Sequence, residues 1–162
     1  GHKERGHKER GDLLSMLLQA RDDAGQPMSD QQLQDEVMTL LVAGHETTAN
    51  SLSWTLYLLA QHPEIEAKLL AELKTVLNGE RPTVENYQQL SFTAQVIKES
   101  LRLYPPAWAI GRTVVKPCEI GGCQLKPGNF VFLSPWIVQS DPRFFDQPKT
   151  FMPERWTPEF EK

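Results

Sequence analysis

The chain has 162 residues, 40% hydrophobic and 23% charged, enough apolar material for one ordinary core and near average soluble composition. A net charge of −4 leaves no nucleic-acid footprint, and no apolar run approaches the roughly 18 residues of a membrane-crossing helix. Two cysteines, Cys118 and Cys123, are too few for a disulfide scaffold and point to a reducing compartment.

The pentapeptide GHKER occurs twice in tandem, at 1–5 and 6–10. Two copies are too few for a repeat architecture. A cloning artefact or a duplicated splice point is expected, with His2 and His7 on a solvated basic tail. The charged N-terminus predicts no signal peptide.

Gly11 to Asp30 predicts a short amphipathic helix and then a polar turn around Gly25 and Pro27. Ser29 and Gln32 are spaced as a capping box for the next helix. From Asp30 to Gln61 there is no proline, and Leu33, Val37, Leu40, Leu41, Thr48, Leu52, Leu56 and Leu59 keep helical spacing. At about 1.5 Å per residue this helix is about 48 Å long. Its centre, MTLLVAG (38–44), is apolar all round and predicts passage through the interior of a globule.

Pro63 fits the first turn of a further helix, 63–77, ended by Asn78-Gly79. TVENYQQL (83–90) is a short helical piece. Ser91 is the expected cap of the helix FTAQVIKESLRLY (92–104), which Pro105-Pro106 terminate. Short strands are predicted in AIGRTVV (109–115), CEIGGCQL (118–125) and NFVFLSPW (129–136), with turns at Gly121-Gly122 and Pro127-Gly128. The stretch 139–160, rich in proline and aromatics, reads as ordered coil. Helices followed by a strand cluster predict a mainly α, α+β fold, with 11–162 as one partial domain and no linker to a second.

Three local patterns carry chemistry. Glu99 and Arg102 lie i, i+3 on one helix. Alone, such a pair reads as a solvated ion pair worth less than about 1 kcal/mol. Arg155 in FMPERW (151–156) stands in coil, and its five-donor fork suits a carboxylate and backbone carbonyls. In LVAGHETTAN (41–50), Gly44 weakens the helix by about 1 kcal/mol relative to Ala, and Glu46, Thr47 and Thr48 put polar groups where burial is predicted. One explanation is close packing at Gly44, with Thr hydroxyls bonded back to the preceding turn. The other is room for a ligand beside Gly44, a loosened or π-type helical bond, and Thr47 and Glu46 turned toward that ligand.

AGHETT (43–48), KESLR (98–102) and PERW (153–156), in this order and spacing, resemble the cytochrome P-450 haem-thiolate monooxygenases over Gly11 to Trp156. The resemblance implies that the long helix lies across one haem face. Ala43 and Gly44 would leave space for dioxygen and substrate, Thr47 would hydrogen-bond dioxygen and organise water, and Glu46 would help relay protons. Cleavage of dioxygen needs two protons, and an alcohol beside a carboxylate in a dry site suits their delivery. His45 falls at a variable position. Glu99, Arg102 and Arg155 would form a buried structural charge network, with Trp156 where the family more usually has Phe. Arg112 would bind a haem propionate, and Pro106, Ala107 and Ile110, with Ala43, would line the substrate pocket.

The family's cysteine-ligand loop is not found among these residues. Cys118 and Cys123 are read as bland buried or partly buried residues, with no metal ligand in this chain. The iron ligand is expected downstream of Lys162. The parent protein is thus expected to be a soluble, cytoplasmic, bacterial haem monooxygenase. It would take a lipophilic substrate such as a fatty acid, dioxygen, and electrons from a ferredoxin, a flavodoxin or a flavin reductase. The 162 residues alone are expected to be inactive, to bind no haem stably and to expose core faces. Two alternatives remain: a non-enzymatic helical interaction module of the same ancestry, and a haem carrier using His45 or His62.

Overall fold

The computed structural model describes residues 11–160; the GHKER tandem, with His2 and His7, lies outside them. Two compact units are distinguished, dividing between Glu46 and Thr47 within one long helix, and each is described by itself.

In the first unit, α1 (Leu13–Gln19) is capped by Asp12, whose Oδ1 accepts from the Ser15 N–H at 2.9 Å. The Arg21 guanidinium closes its other end by donating to the carbonyls of Leu18 and Ala20. Asp22 Oδ1 organises the turn that follows, accepting from the N–H groups of Ala24 and Gln26. The capping box of the next helix forms: Gln32 N–H donates to Ser29 Oγ at 3.2 Å, and Ser29 N–H donates to Gln32 Oε1 at 2.9 Å.

α2 then runs from Asp30 to Gln61, 32 residues, as predicted. One expectation for its centre is corrected. The helix is α throughout, with no π-type bulge, because one glycine lowers helix propensity without removing a backbone donor. Its apolar centre is exposed, Leu41 at 59% and Val42 at 56%, in line with the expectation that these 162 residues expose core faces. Sequence shows that this surface is apolar but not which element covers it.

In the second unit, α3 (Pro63–Leu77) opens on its proline and ends at Asn78, in the left-handed conformation at φ 49°. The short α4 (Val84–Tyr87) carries a Thr83/Asn86 capping box. α5 (Ser91–Leu103) packs on α3, but Ser91 does not cap it. Instead, the Glu72 carboxylate of α3 accepts from the N–H groups of Phe92 (2.7 Å) and Thr93 (2.8 Å) and from the hydroxyls of Thr93 (2.7 Å) and Ser91 (3.3 Å). A charged acceptor from a neighbouring helix satisfies the orphan donors that Ser91 was expected to take. The core joins Leu58 and Leu59 of α2, Ile65 of α3, Val96 of α5 and Phe151 of the coil. Each such side chain contributes about 1.5–3 kcal/mol on burial.

β1 (Ile110–Thr113) pairs antiparallel with β4 (Phe130–Leu133), Gly111 opposite Phe132 and Arg112 opposite Val131. A Cβ on Gly111 would stand 2.3 Å from Phe130 Cζ, so the ring lies where only glycine leaves room. β2 (Cys118–Ile120) and β3 (Cys123–Leu125) form a hairpin closed by Gly121-Gly122, φ 56° and 80°, the paired positive values that a two-residue hairpin turn requires. The third predicted strand stops at Leu133, and Pro135 opens a short helix, α6 (Pro135–Gln139). The remaining coil contains one 3-10 turn, Pro153–Arg155.

Candidate functional site

Glu99 and Arg102 sit one turn apart on the inner face of α5 and are almost wholly buried, at 0% and 1% exposure. The Arg102 fork meets the Glu99 carboxylate through both edges, Nε to Oε2 at 2.9 Å and Nη2 to Oε1 at 2.8 Å. Its remaining donors reach the carbonyls of Gln139 and Pro148, both at 2.7 Å, and Thr150 at 3.3 Å. Its guanidinium also lies over the Phe145 ring, 5.1 Å from the centroid. No part of this pair resembles a solvated surface bridge. It ties α5 to α6 and to the coil beyond.

Arg155 completes the set from the 3-10 turn, donating Nε to Glu99 Oε1 at 2.9 Å and Nη1 to the Asp146 carbonyl at 2.8 Å. Two further donors were not foreseen. The Met152 N–H reaches Glu99 Oε1 at 3.1 Å, and the Trp156 indole N–H reaches Oε2 at 3.0 Å. The available signal was Trp156 itself, since a buried indole N–H needs an acceptor. Gln95 Nε2, one turn before Glu99, donates to the Trp156 carbonyl at 2.9 Å. Burial pushes the Glu99 carboxyl up, but hydrogen bonds from Arg102 and Met152, the Arg102 charge and Arg155 outweigh it and hold the group below its ordinary value. Thr55 of α2 donates to Ser100 Oγ at 2.8 Å, fixing the later part of α2 against α5.

Ala43, Gly44, His45, Glu46, Thr47 and Thr48 occupy successive exposed positions of α2, and Ala43 and Thr47 share one face one turn apart. A Cβ on Gly44 would meet no heavy atom within 4 Å, so close helix packing at this glycine is not observed among the described residues. Leu41, Val42, His45 and Glu46 line an open hollow of about 550 Å³. In the second unit, Arg112 is exposed on β1 and donates to the Gly111 carbonyl at 2.8 Å. Pro106 is half-buried, and Ala107 and Ile110 are exposed. Nearby, Trp54, Leu103, Tyr104, Pro105, Trp108 and Trp136 line an aromatic hollow of about 230 Å³, with Trp54 stacked on Tyr104 at 4.2 Å.

Cys118 and Cys123 correct the expectation of buried thiols: both are free and exposed on the β2–β3 hairpin, whose two strands lack a covering layer among the described residues. Among the described residues no group of three His, Cys, Asp or Glu side chains is arranged to hold a metal ion, and no helix is long and apolar enough to cross a membrane. In the first unit α2 offers a small-residue face with open space at Gly44, which suits a flat apolar ring. In the second unit β1 presents an exposed guanidinium at Arg112, which suits a carboxylate.

An E-x-x-R helix locked by a buried carboxylate to a P-E-R-W coil, on a helix-dominated α+β chain, defines a P450-type protein. A family model described as Cytochrome P450 matches residues 2–162, and the chain belongs to that family. It is 47% identical over 152 residues to cyclooctatin synthase of Streptomyces melanosporofaciens, covering 93% of this chain and 33% of that protein. It is 41% identical over 155 residues to pentalenene oxygenase of Streptomyces avermitilis, covering 96% and 34%. A solved structure, retinoic acid bound cyanobacterial CYP120A1, superposes with a TM-score of 0.87 at 35% identity, over 93% of this chain and 34% of that one. The chain thus spans about a third of the length of the relatives it matches.

Proposed function

We propose that these residues belong to a haem-dependent monooxygenase that inserts one oxygen atom of dioxygen into a lipophilic, terpenoid-like molecule. The family match across residues 2–162 carries this reading. The substrate class is supported by the names of the relatives, which include pentalenene oxygenase and cyclooctat-9-en-7-ol 5-monooxygenase, and by the retinoic acid in the matching structure. These names favour a terpenoid over the fatty acid expected from sequence.

When bound, the haem supplies the activation of dioxygen. The chain's own residues prepare its surroundings. Ala43 and Gly44 keep side-chain bulk off one face of α2, leaving room for a flat ring system and a substrate. Thr47 places a hydroxyl, and Glu46 a carboxylate, on neighbouring positions of that helix, where together they pass protons inward. Arg112 presents an exposed guanidinium for a propionate carboxylate. Pro106, Ala107 and Ile110 contribute apolar surface to the substrate. Glu99, Arg102 and Arg155 touch no substrate; they fix α5 to the coil. Electrons come from a ferredoxin, a flavodoxin or a flavin reductase. Neither Cys118 nor Cys123 serves as the iron's thiolate in this reading, since both lie on the hairpin surface.

The test adds haemin to the purified 162-residue chain, reduces it under carbon monoxide and records the Soret band, beside a longer form of the protein with the cysteine-ligand loop. The red-shifted band of a thiolate complex is expected from the longer form alone. The same band from the 162 residues would assign the ligand to Cys118 or Cys123. No such band from either would overturn the haem-thiolate reading.

A further inference from the structure

We infer that Trp156 is a positioning residue that duplicates part of Arg155's hold on Glu99, so that the lock between α5 and the coil survives loss of either partner but not of both. The two donors approach opposite oxygens of the carboxylate, Arg155 Nε on Oε1 and Trp156 Nε1 on Oε2. Removing Arg155 leaves Glu99 with the two-point Arg102 fork, the Met152 N–H and the indole N–H. The carboxylate then stays neutralised and bonded on both oxygens. Removing the indole N–H leaves Oε2 with Arg102 Nε alone. Arg155 keeps the coil in place by also gripping the carbonyls of Asp146, Gln147 and Thr150.

The coil is also held beside α5 by the Gln95–Trp156 bond, so the indole remains in reach when Arg155 is gone. Arg102 has no such deputy. Among the described residues its donors alone reach the Gln139 and Pro148 carbonyls, and no other cation bonds Glu99 if Arg155 is also lost. A phenylalanine at position 156 fills the same space beside Phe160 but brings no donor. The redundancy therefore belongs to the indole N–H and not to ring packing.

The amide of Met152 reports the lock directly, because its N–H donates to Glu99 Oε1. Hydrogen exchange at that amide is measured in the 162-residue chain and in Arg155→Lys, Trp156→Phe and the double variant. Lysine keeps the charge but loses the fork, which makes it gentler than alanine. Each single variant is expected to speed exchange modestly, and the double variant to exceed the product of the two effects by about tenfold. Restoring Trp156 in the Arg155→Lys background should recover most of the protection. The inference is overturned if the double variant equals the product of the singles, or if it exchanges no faster at Met152 than Arg155→Lys alone. If the chain shows no slowed exchange at Met152, the same variants are read in a longer form of the protein by the same amide. This test needs no haem, so it fails or succeeds independently of the proposed function.

Discussion

Arg102 meets Glu99 edge to edge in the interior, with two bonds of 2.8 and 2.9 Å between groups exposed by 1% and 0%. Losing Arg102 leaves the buried Glu99 carboxylate with Arg155 as its cation and the Gln139 and Pro148 carbonyls without that donor. Arg102→Leu is expected to destabilise the second unit by about 3–5 kcal/mol, more than Arg155→Leu, because Arg155 has a deputy. Urea unfolding followed by circular dichroism ranks the two; an Arg155 effect equal to or larger than that of Arg102 contradicts the asymmetry.

Glu72 holds the start of α5 from another helix through four donors. Glu72→Ala should lose about 1–2 kcal/mol, the scale of a lost helix cap with its charge. Ser91→Ala should lose far less, since the Ser91 hydroxyl makes only the longest of the four contacts, at 3.3 Å. Equal effects from the two variants would restore Ser91 as the cap.

Acid should act through the same carboxylates. Burial raises the Glu72 carboxyl, but the Phe92 N–H and the hydroxyl and N–H of Thr93 outweigh it, so Glu72, like Glu99, titrates below its ordinary range. The unfolded chain takes up these protons at ordinary values and the folded chain only at lower pH. The stability they contribute is therefore full above about pH 5 and falls as pH drops through the lowered folded values. The urea midpoint, measured from pH 7 to pH 3, should hold and then decline, less steeply in Glu72→Gln. A midpoint that rises on acidification would contradict the sign.

Gly44 separates architecture from chemistry. With open space at its Cβ and an unbroken helix around it, Gly44→Ala should stabilise α2 by up to about 1 kcal/mol in this chain. In a longer, haem-loaded form, Gly44→Leu should lower turnover without lowering helix content. Unchanged turnover would remove Gly44 from the candidate site.

Both cysteines are exposed and unpaired, so both should titrate with a thiol reagent in the folded chain. Recovery of fewer than two reactive thiols would show that the hairpin surface is covered in solution.

Local punctuation made the element order readable. Pro63, Asn78, Pro105 and the Gly121-Gly122 turn each fix the backbone at their own position, and Ser29 with Gln32 closes a cap within four residues. The Glu99–Arg102–Arg155 set came through the family motifs, not through charge spacing, which favoured a surface pair. What was missed depends on partners far along the chain. Glu72 displaces Ser91 as the cap across about 20 residues, and Trp156 finds Glu99 across 57. The exposed centre of α2 agrees with the expectation of exposed core faces, but all-round apolarity says that a surface wants cover, not where the cover comes from.

The two clamps on α5 differ in reach, and that difference sets an order of assembly. Glu72 closes loops of 19 to 21 residues, whereas the coil returns to Glu99 over 53 to 57. The shorter closure loses less chain entropy, so the α3–α5 corner should form first and the coil should latch onto it last. Substitutions at Glu72 should then slow folding, while those at Trp156 should mainly speed unfolding. Stopped-flow rates for Glu72→Gln and Trp156→Phe would distinguish this order from its reverse.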